Sequence, residues 1–178
     1  MKNKKICIVG LGYVGLPLLN LITKKKFETF GYDINESRIK KLKKNISYIS
    51  DINDTELKKL NKSNLFSKNK IKKISEVDYI IICLPTPLNL SGGPDLSFIK
   101  TFFNDVFKYL RKNQTIILES TVPPGATEKI FLKKLNTKFQ VGKDLYLCFS
   151  PERINPGNHK FKLENITKVI SGFSNNCL

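Results

Sequence analysis

The chain has 178 residues, 40% of them hydrophobic, and carries 31 Lys and Arg against 15 Asp and Glu, a net charge of +16. This length supports one domain with a real core. No apolar stretch approaches the roughly twenty residues of a membrane span, and the run after Met1-Lys2-Asn3-Lys4-Lys5 is too short for a secretory signal. A cytoplasmic protein is therefore expected. Cys7, Cys83, Cys148 and Cys177 form no CxxC or zinc-like spacing and read as reduced thiols. The single histidine, His159, cannot build a metal site alone, so no metal is expected. The lysines are dispersed as Lys40-Lys41, Lys43-Lys44, Lys58-Lys59, Lys72-Lys73 and Lys133-Lys134, mostly on polar faces of helix candidates. Aromatic residues sit in apolar runs instead of interleaving with the lysines for base stacking, which argues against a nucleic-acid partner.

In chain order, Ile6 to Val9 reads as a buried strand that feeds Gly10-x-Gly12-x-x-Gly15 and then a helix over residues 16–25. Strand, glycine turn, helix is the context in which this spacing marks a dinucleotide site. Gly10 permits the tight turn, Gly12 lets a pyrophosphate approach the backbone, and Gly15 lets helix pack on strand. The phosphates then meet the free amides and positive dipole end of the helix. A second strand over residues 27–32 ends in Asp33, whose carboxylate can accept from the adenosine ribose hydroxyls and repel a 2′-phosphate. The expected cofactor is NAD, with Arg38 lying against the adenine or a phosphate.

Asn35 can cap a helix through Lys44, and Asp54 can open another over residues 55–61. Residues 71–75 read as a short strand or turn. Residues 77–84 are apolar on both faces, as a central parallel strand is, and stop at Pro85-Thr86-Pro87. Asp95 caps an amphipathic helix to about Leu110. Strands follow at 114–119, ending in Ser120-Thr121, and at 144–149, ending in Ser150-Pro151-Glu152-Arg153, with a helix over 126–135 between them. Residues 168–172 read as a last strand. The alternation predicts an α/β fold, a doubly wound, mainly parallel sheet.

The three hydroxyl- and proline-rich loops should open on the same sheet edge as the glycine turn. A nicotinamide crossing that edge meets Pro85 and Thr86, then Ser120 and Thr121, and Glu152 is the carboxylate nearest the reacting carbon. Such a carboxylate can activate water or take a proton from an alcohol. Arg153 is placed to bind a substrate acceptor. Thr86 and Thr121 can equally cap turn amides, Glu152 and Arg153 can form an exposed ion pair, and Glu119 reads as a loop anchor.

Four motifs, Gly10-Leu-Gly-Tyr-Val-Gly-Leu-Pro-Leu18, Leu84-Pro-Thr-Pro87, Glu119-Ser-Thr-Val-Pro-Pro-Gly125 and Ser150-Pro-Glu-Arg-Ile-Asn-Pro-Gly157, together resemble the UDP-glucose/GDP-mannose dehydrogenase family over essentially the whole chain. The last motif looks most like the branch acting on UDP-N-acetylhexosamines. The resemblance implies a two-step oxidation of a nucleotide-sugar C6 alcohol to a uronic acid with two NAD, for surface polysaccharide. It implies that Tyr13 and Val14 hold the pyrophosphate, that Asp33 and Arg38 hold the adenosine end, and that Thr86 and Thr121 line the nicotinamide. Thr121 and Glu152 become the catalytic candidates, Glu152 positioning water and serving in acid/base steps, and Glu152 with Arg153, Ile154 and Asn155 contacts the sugar.

Family members run more than twice this length, with a cysteine nucleophile in a middle segment and a nucleotide-binding domain beyond it. The expectation is an N-terminal NAD-binding domain over 1–178, inactive alone, whose longer form dimerises through the middle segment. Cys177 lacks the glycine-rich surroundings of that nucleophile. Dehydrogenases of the 6-phosphogluconate or hydroxyisobutyrate type share the glycine turn but not the Ser-Pro-Glu-Arg loop. A non-catalytic NAD-binding module is the alternative from another class.

Overall fold

A computed structural model describes residues 4–153 and 165–178. The first apolar run forms β1 (Lys5–Val9), and the other strands assemble around it. They are β2 (Glu28–Tyr32), β3 (Leu65–Phe66), β4 (Tyr79–Ile82), β5 (Thr115–Leu118), β6 (Tyr146–Phe149) and β7 (Ser171–Gly172), in the order β3-β2-β1-β4-β5-β6-β7. All neighbouring pairs are parallel except β6 with β7. The chain leaves β1 toward β2 on one side and returns to β4 on the other. This switch point leaves a crevice at the carboxyl ends of the strands, where open α/β sheets bind ligands.

Side-chain alternation along the strands builds one core on each face. Cys7, Val9, Ile80, Ile82, Ile116 and Leu118 face α4 (Ser97–Val106) and α5 (Ala126–Leu135), which bury Ile99, Phe102, Phe103, Phe131 and Leu135. On the other face Ile8 and Ile81 meet α1 (Gly15–Lys24), α2 (Glu36–Lys43) and α3 (Asp54–Leu57) through Leu16, Leu19, Leu42 and Leu57.

Asn35 caps α2 as expected, its Oδ1 accepting from the Ser37 and Arg38 amides. The cap of α3 is Asn53, not Asp54. Asn53 Oδ1 accepts from the Glu56 amide while Glu56 Oε2 accepts from the Asn53 amide, a reciprocal capping box. Asp54 Oδ1 accepts from the Ser47 amide instead. The expected strand or turn at 71–75 lies within a 3₁₀ region, Lys68–Glu76, that is kinked at Lys70; only Ile71 and Ile74 are buried, and their three-residue spacing suits the winding after the kink. The last strand is shorter than predicted and runs antiparallel. The whole of β3 was not anticipated, since two residues are too few for a period to show. Among the described residues no helix is long and apolar enough to cross a membrane. Ile154, Asn155 and His159 lie outside the described residues.

Candidate cofactor and catalytic site

The glycine turn is shaped by contacts that exclude side chains. Gly10 has φ +90°, and a Cβ there would meet the Cys83 carbonyl oxygen at 2.7 Å. A Cβ on Gly15 would lie 1.9 Å from the Gly10 carbonyl oxygen, whereas one on Gly12 would meet nothing within 4 Å. So Gly10 and Gly15 close the turn onto β1 and β4, and Gly12 faces open space. Among the described residues the Gly12, Tyr13 and Val14 amides donate to no protein acceptor. No side chain caps α1 and no acidic residue occupies its first turn. Unpaired amides at an uncapped helix start form an anion site, so the residues present fit a dinucleotide pyrophosphate.

Asp33 follows β2 and is 3% exposed. Its Oδ2 accepts from the Leu11 amide at 2.9 Å and Arg38 Nη1 at 3.3 Å, and its Oδ1 from the Asn35 amide at 2.8 Å. Two backbone amides thus fix the carboxylate, leaving one Oδ1 lone pair open for a ribose hydroxyl. Arg38 also lies over the Tyr48 ring, 5.6 Å from its centroid. Tyr48 donates its hydroxyl to the Leu11 carbonyl at 2.6 Å, tying the second helical layer to the glycine turn. Burial pushes the Tyr48 phenol up, so it stays a donor. Sequence reading did not single out Tyr48. It lies in an irregular stretch, where one aromatic among polar residues was the available signal.

A cleft of about 640 Å³ runs from this turn across the sheet edge. It is lined by Gly10, Gly12, Tyr13, Val14, Asp33, Arg38, Pro85, Thr86, Ser120, Thr121 and Glu152, with Phe98 adding an apolar wall. Of the fifteen residues named for these roles, thirteen lie within the described residues, and of those the structure places Gly15 under the turn and Arg153 outside this lining. Arg153 is exposed, and its amide donates to Glu152 Oε1 at 2.7 Å. Thr86 donates its hydroxyl to the Thr121 carbonyl at 2.7 Å, so it bridges two of the loops while keeping its acceptor lone pairs. Ser120 is buried and donates to the Ile82 carbonyl at 3.3 Å, which makes it mainly a loop anchor.

Glu119 and Glu152 both line the cleft and are joined by Lys168, whose Nζ lies 2.7 Å from Glu119 Oε2 and 3.3 Å from Glu152 Oε2. Burial raises the Glu119 carboxyl and Lys168 pulls against that rise. Burial opposes the Lys168 charge, but the Glu119 and Glu152 carboxylates outweigh it and hold the ammonium's pKa above its usual value. Burial, followed by Glu119, raises the neighbouring Cys83 thiol well above its usual value, so that Cys83 is neutral. Glu119, expected only as a loop anchor, thus lines the cleft and pairs with Lys168. Lys168 had been read only as part of a strand, although a cation inside a Val/Ile run was the clue. Among the described residues no three His, Cys, Asp or Glu side chains gather as a metal site.

Fold and cleft define an NAD-type dinucleotide-binding domain whose cleft is also lined by the carboxylates of Glu119 and Glu152. The UDP-glucose/GDP-mannose dehydrogenase family, NAD binding domain, matches residues 4–177, and the chain belongs to this family. NAD is the cofactor of that domain. Protein CapL of Staphylococcus aureus is 40% identical over 96% of this chain and 40% of its own length. UDP-N-acetyl-D-glucosamine 6-dehydrogenase of Pseudomonas aeruginosa is 36% identical over 97% of this chain and 40% of its own length. Among solved structures, a UDP-D-ManNAc dehydrogenase from Pyrococcus horikoshii superposes with a TM-score of 0.84 at 30% identity, covering 97% of this chain and 42% of that one. The chain spans about 40% of the length of the curated relatives it matches.

Proposed function

We propose that this chain is the NAD-binding part of a cytoplasmic nucleotide-sugar 6-dehydrogenase. It oxidises the C6 alcohol of a UDP-N-acetylhexosamine to a uronic acid, for surface polysaccharide. The observation that carries this reading is the single cleft joining the glycine turn, Asp33, the two threonine loops and Glu152. Relatives named as UDP-N-acetylhexosamine dehydrogenases, at 32–38% identity, support the substrate class over UDP-glucose or GDP-mannose.

The bound cofactor supplies a hydride acceptor, and the residues of this chain do the rest. The Gly12 to Val14 amides hold the pyrophosphate. Asp33 orients the adenosine ribose, with Arg38 and Tyr48 beside it. Thr86 and Thr121 border the nicotinamide, and Phe98 and the proline loops keep water from one wall. Glu152 takes the C6 hydroxyl proton onto a carboxylate oxygen and, in the second oxidation, holds the water that supplies the new oxygen. Arg153, with Ile154 and Asn155, contacts the sugar. In this reading residues 1–178 form the cofactor domain. The nucleophile for the second oxidation and the main dimer contacts belong to the portion of the relatives that this chain does not span. Val169, Ile170, Phe173 and Leu178 are all about half exposed or more.

NADH formation by the intact gene product on a panel of UDP-sugars tests the reading. Two NADH per UDP-N-acetylhexosamine is the expected result. NAD binding with no turnover on any sugar would replace it with a non-catalytic NAD-binding module.

A further inference from the structure

We propose that Lys168 is a positioning residue that holds Glu152 at the reacting end of the cleft and offsets the charge of the Glu119–Glu152 pair. The inference rests on the reading of Glu152 as the acid/base group.

The topology brings these groups together. Phe149 pairs with Ser171 in the antiparallel β6–β7 ladder. Glu152 lies three residues beyond Phe149 and Lys168 three before Ser171, so the same register sets them opposite one another. Glu119 arrives from the end of β5, where its amide donates to the Ile82 carbonyl at 2.9 Å. One ammonium then lies within 3.3 Å of both carboxylates. Glu119 and Glu152 line the cleft, whereas Lys168 is not part of its lining. The groups facing Glu152 include Lys168, Glu119 and the thiol of Cys83, with the Arg153 amide on its other oxygen.

The physical need is clear. Two buried carboxylates side by side hold one proton between them unless a cation compensates. A Glu152 that shares a proton with Glu119 is a poor base at neutral pH. A lysine bridging the pair keeps the second carboxylate ionised and fixes its direction.

The test is a carbon-13 NMR titration of this chain labelled at the glutamate carboxyl carbons, with Glu119 and Glu152 assigned from Glu119→Gln and Glu152→Gln. Lys168→Met should raise the Glu152 midpoint by about 1–3 pH units, and Lys168→Arg should restore it. Glu119→Gln should move the midpoint down, because a like charge is lost and Lys168 pairs with Glu152 alone. In the intact gene product, the acid limb of the rate profile should follow the same shifts. An unmoved Glu152 midpoint in a Lys168→Met chain with a native amide spectrum would overturn the proposal. If that variant does not fold, an unmoved or raised midpoint in Glu119→Gln would do so. The titration needs neither cofactor nor turnover. Full turnover by Glu152→Gln would therefore remove the acid/base reading in a separate assay.

Discussion

Gly12 and Gly15 lie three residues apart in one motif, yet replacing each by alanine should fail in a different way. A methyl on Gly15 would sit 1.9 Å from the Gly10 carbonyl oxygen and 3.1 Å from Ile8 Cγ2. Backbone cannot yield as a side-chain tip can, so α1 must shift off β1. Overpacking of this kind costs about 1–3 kcal/mol, which in a domain of this size lowers the melting temperature by about 2–12 °C. A methyl on Gly12 meets nothing within 4 Å, and Gly12 does not have a positive φ. Stability should therefore stay within about 0.5–1 kcal/mol of the parent, with a small gain from the stiffer unfolded chain. The space the methyl takes is where a phosphate must reach the three unpaired amides. Losing one or two charge-assisted hydrogen bonds, each worth about 1.5–3 kcal/mol, weakens NAD by about 10- to 10⁴-fold. Thermal melts and calorimetric titration with NAD on the two variants separate these outcomes. A Gly12→Ala chain that binds NAD as tightly as the parent would refute passage of the pyrophosphate over this turn.

Glu152→Gln in the intact gene product should cut turnover by about 10²–10⁴ with little change in NAD affinity, and equal turnover would take Glu152 out of the chemistry. Gln114 is fully buried, donates to the Ile74 and Val77 carbonyls and accepts from the Arg111 amide. Gln114→Leu should cost about 1–3 kcal/mol for each buried partner left unpaired, read as a loss in urea midpoint with NAD affinity retained. Asp78 is opposed by partial burial, but the Lys5 amide and Arg111 hold its carboxyl pKa below the usual value. Its contribution is fully present above the unfolded-state pKa and fades as pH falls through the lower folded-state one. Melts followed down from neutral pH should show a shallower acid loss in Asp78→Asn, and parallel curves would assign that loss to other groups.

Most of the fold could be read from the sequence, because β1, β4, β5 and β6 are apolar runs followed within a few residues by a glycine or proline, whereas β2 stops at Asp33. The strand of residues 77–84 contracted to Tyr79–Ile82 without changing place. The cleft was legible for a related reason. In a parallel sheet all the strand ends open on one edge, so Thr86, Thr121 and Glu152 had to gather once the strand order was known. What could not be read were contacts made across the chain. Tyr48 reaches Leu11 from an irregular stretch, and Lys168 reaches Glu152 only through an antiparallel return that no local pattern announces. Side chains in loops carry no period, and an antiparallel edge strand of two residues carries too little.

These contacts lead to an expected preference for NAD over NADP. A 2′-phosphate would have to approach the Asp33 carboxylate. At about 4 Å and an effective dielectric near 20, two unit charges repel by about 4 kcal/mol. Asp33 cannot swing away, because the buried Leu11 amide and the Asn35 amide hold it. Arg38 is the movable partner, with its side chain 44% exposed and its single contact to Asp33 at 3.3 Å. It offsets part of the repulsion, so Arg38→Gln should sharpen discrimination, lowering NADP affinity more than NAD affinity. Asp33→Ala should relax discrimination but also lower the melting temperature, since it strips two amides of their acceptor. The cleaner variant is therefore Arg38→Gln, compared by titration with both cofactors. An NADP affinity that rises in this variant would mean that Arg38 blocks the 2′ position, and that the carboxylate does not decide between the two cofactors.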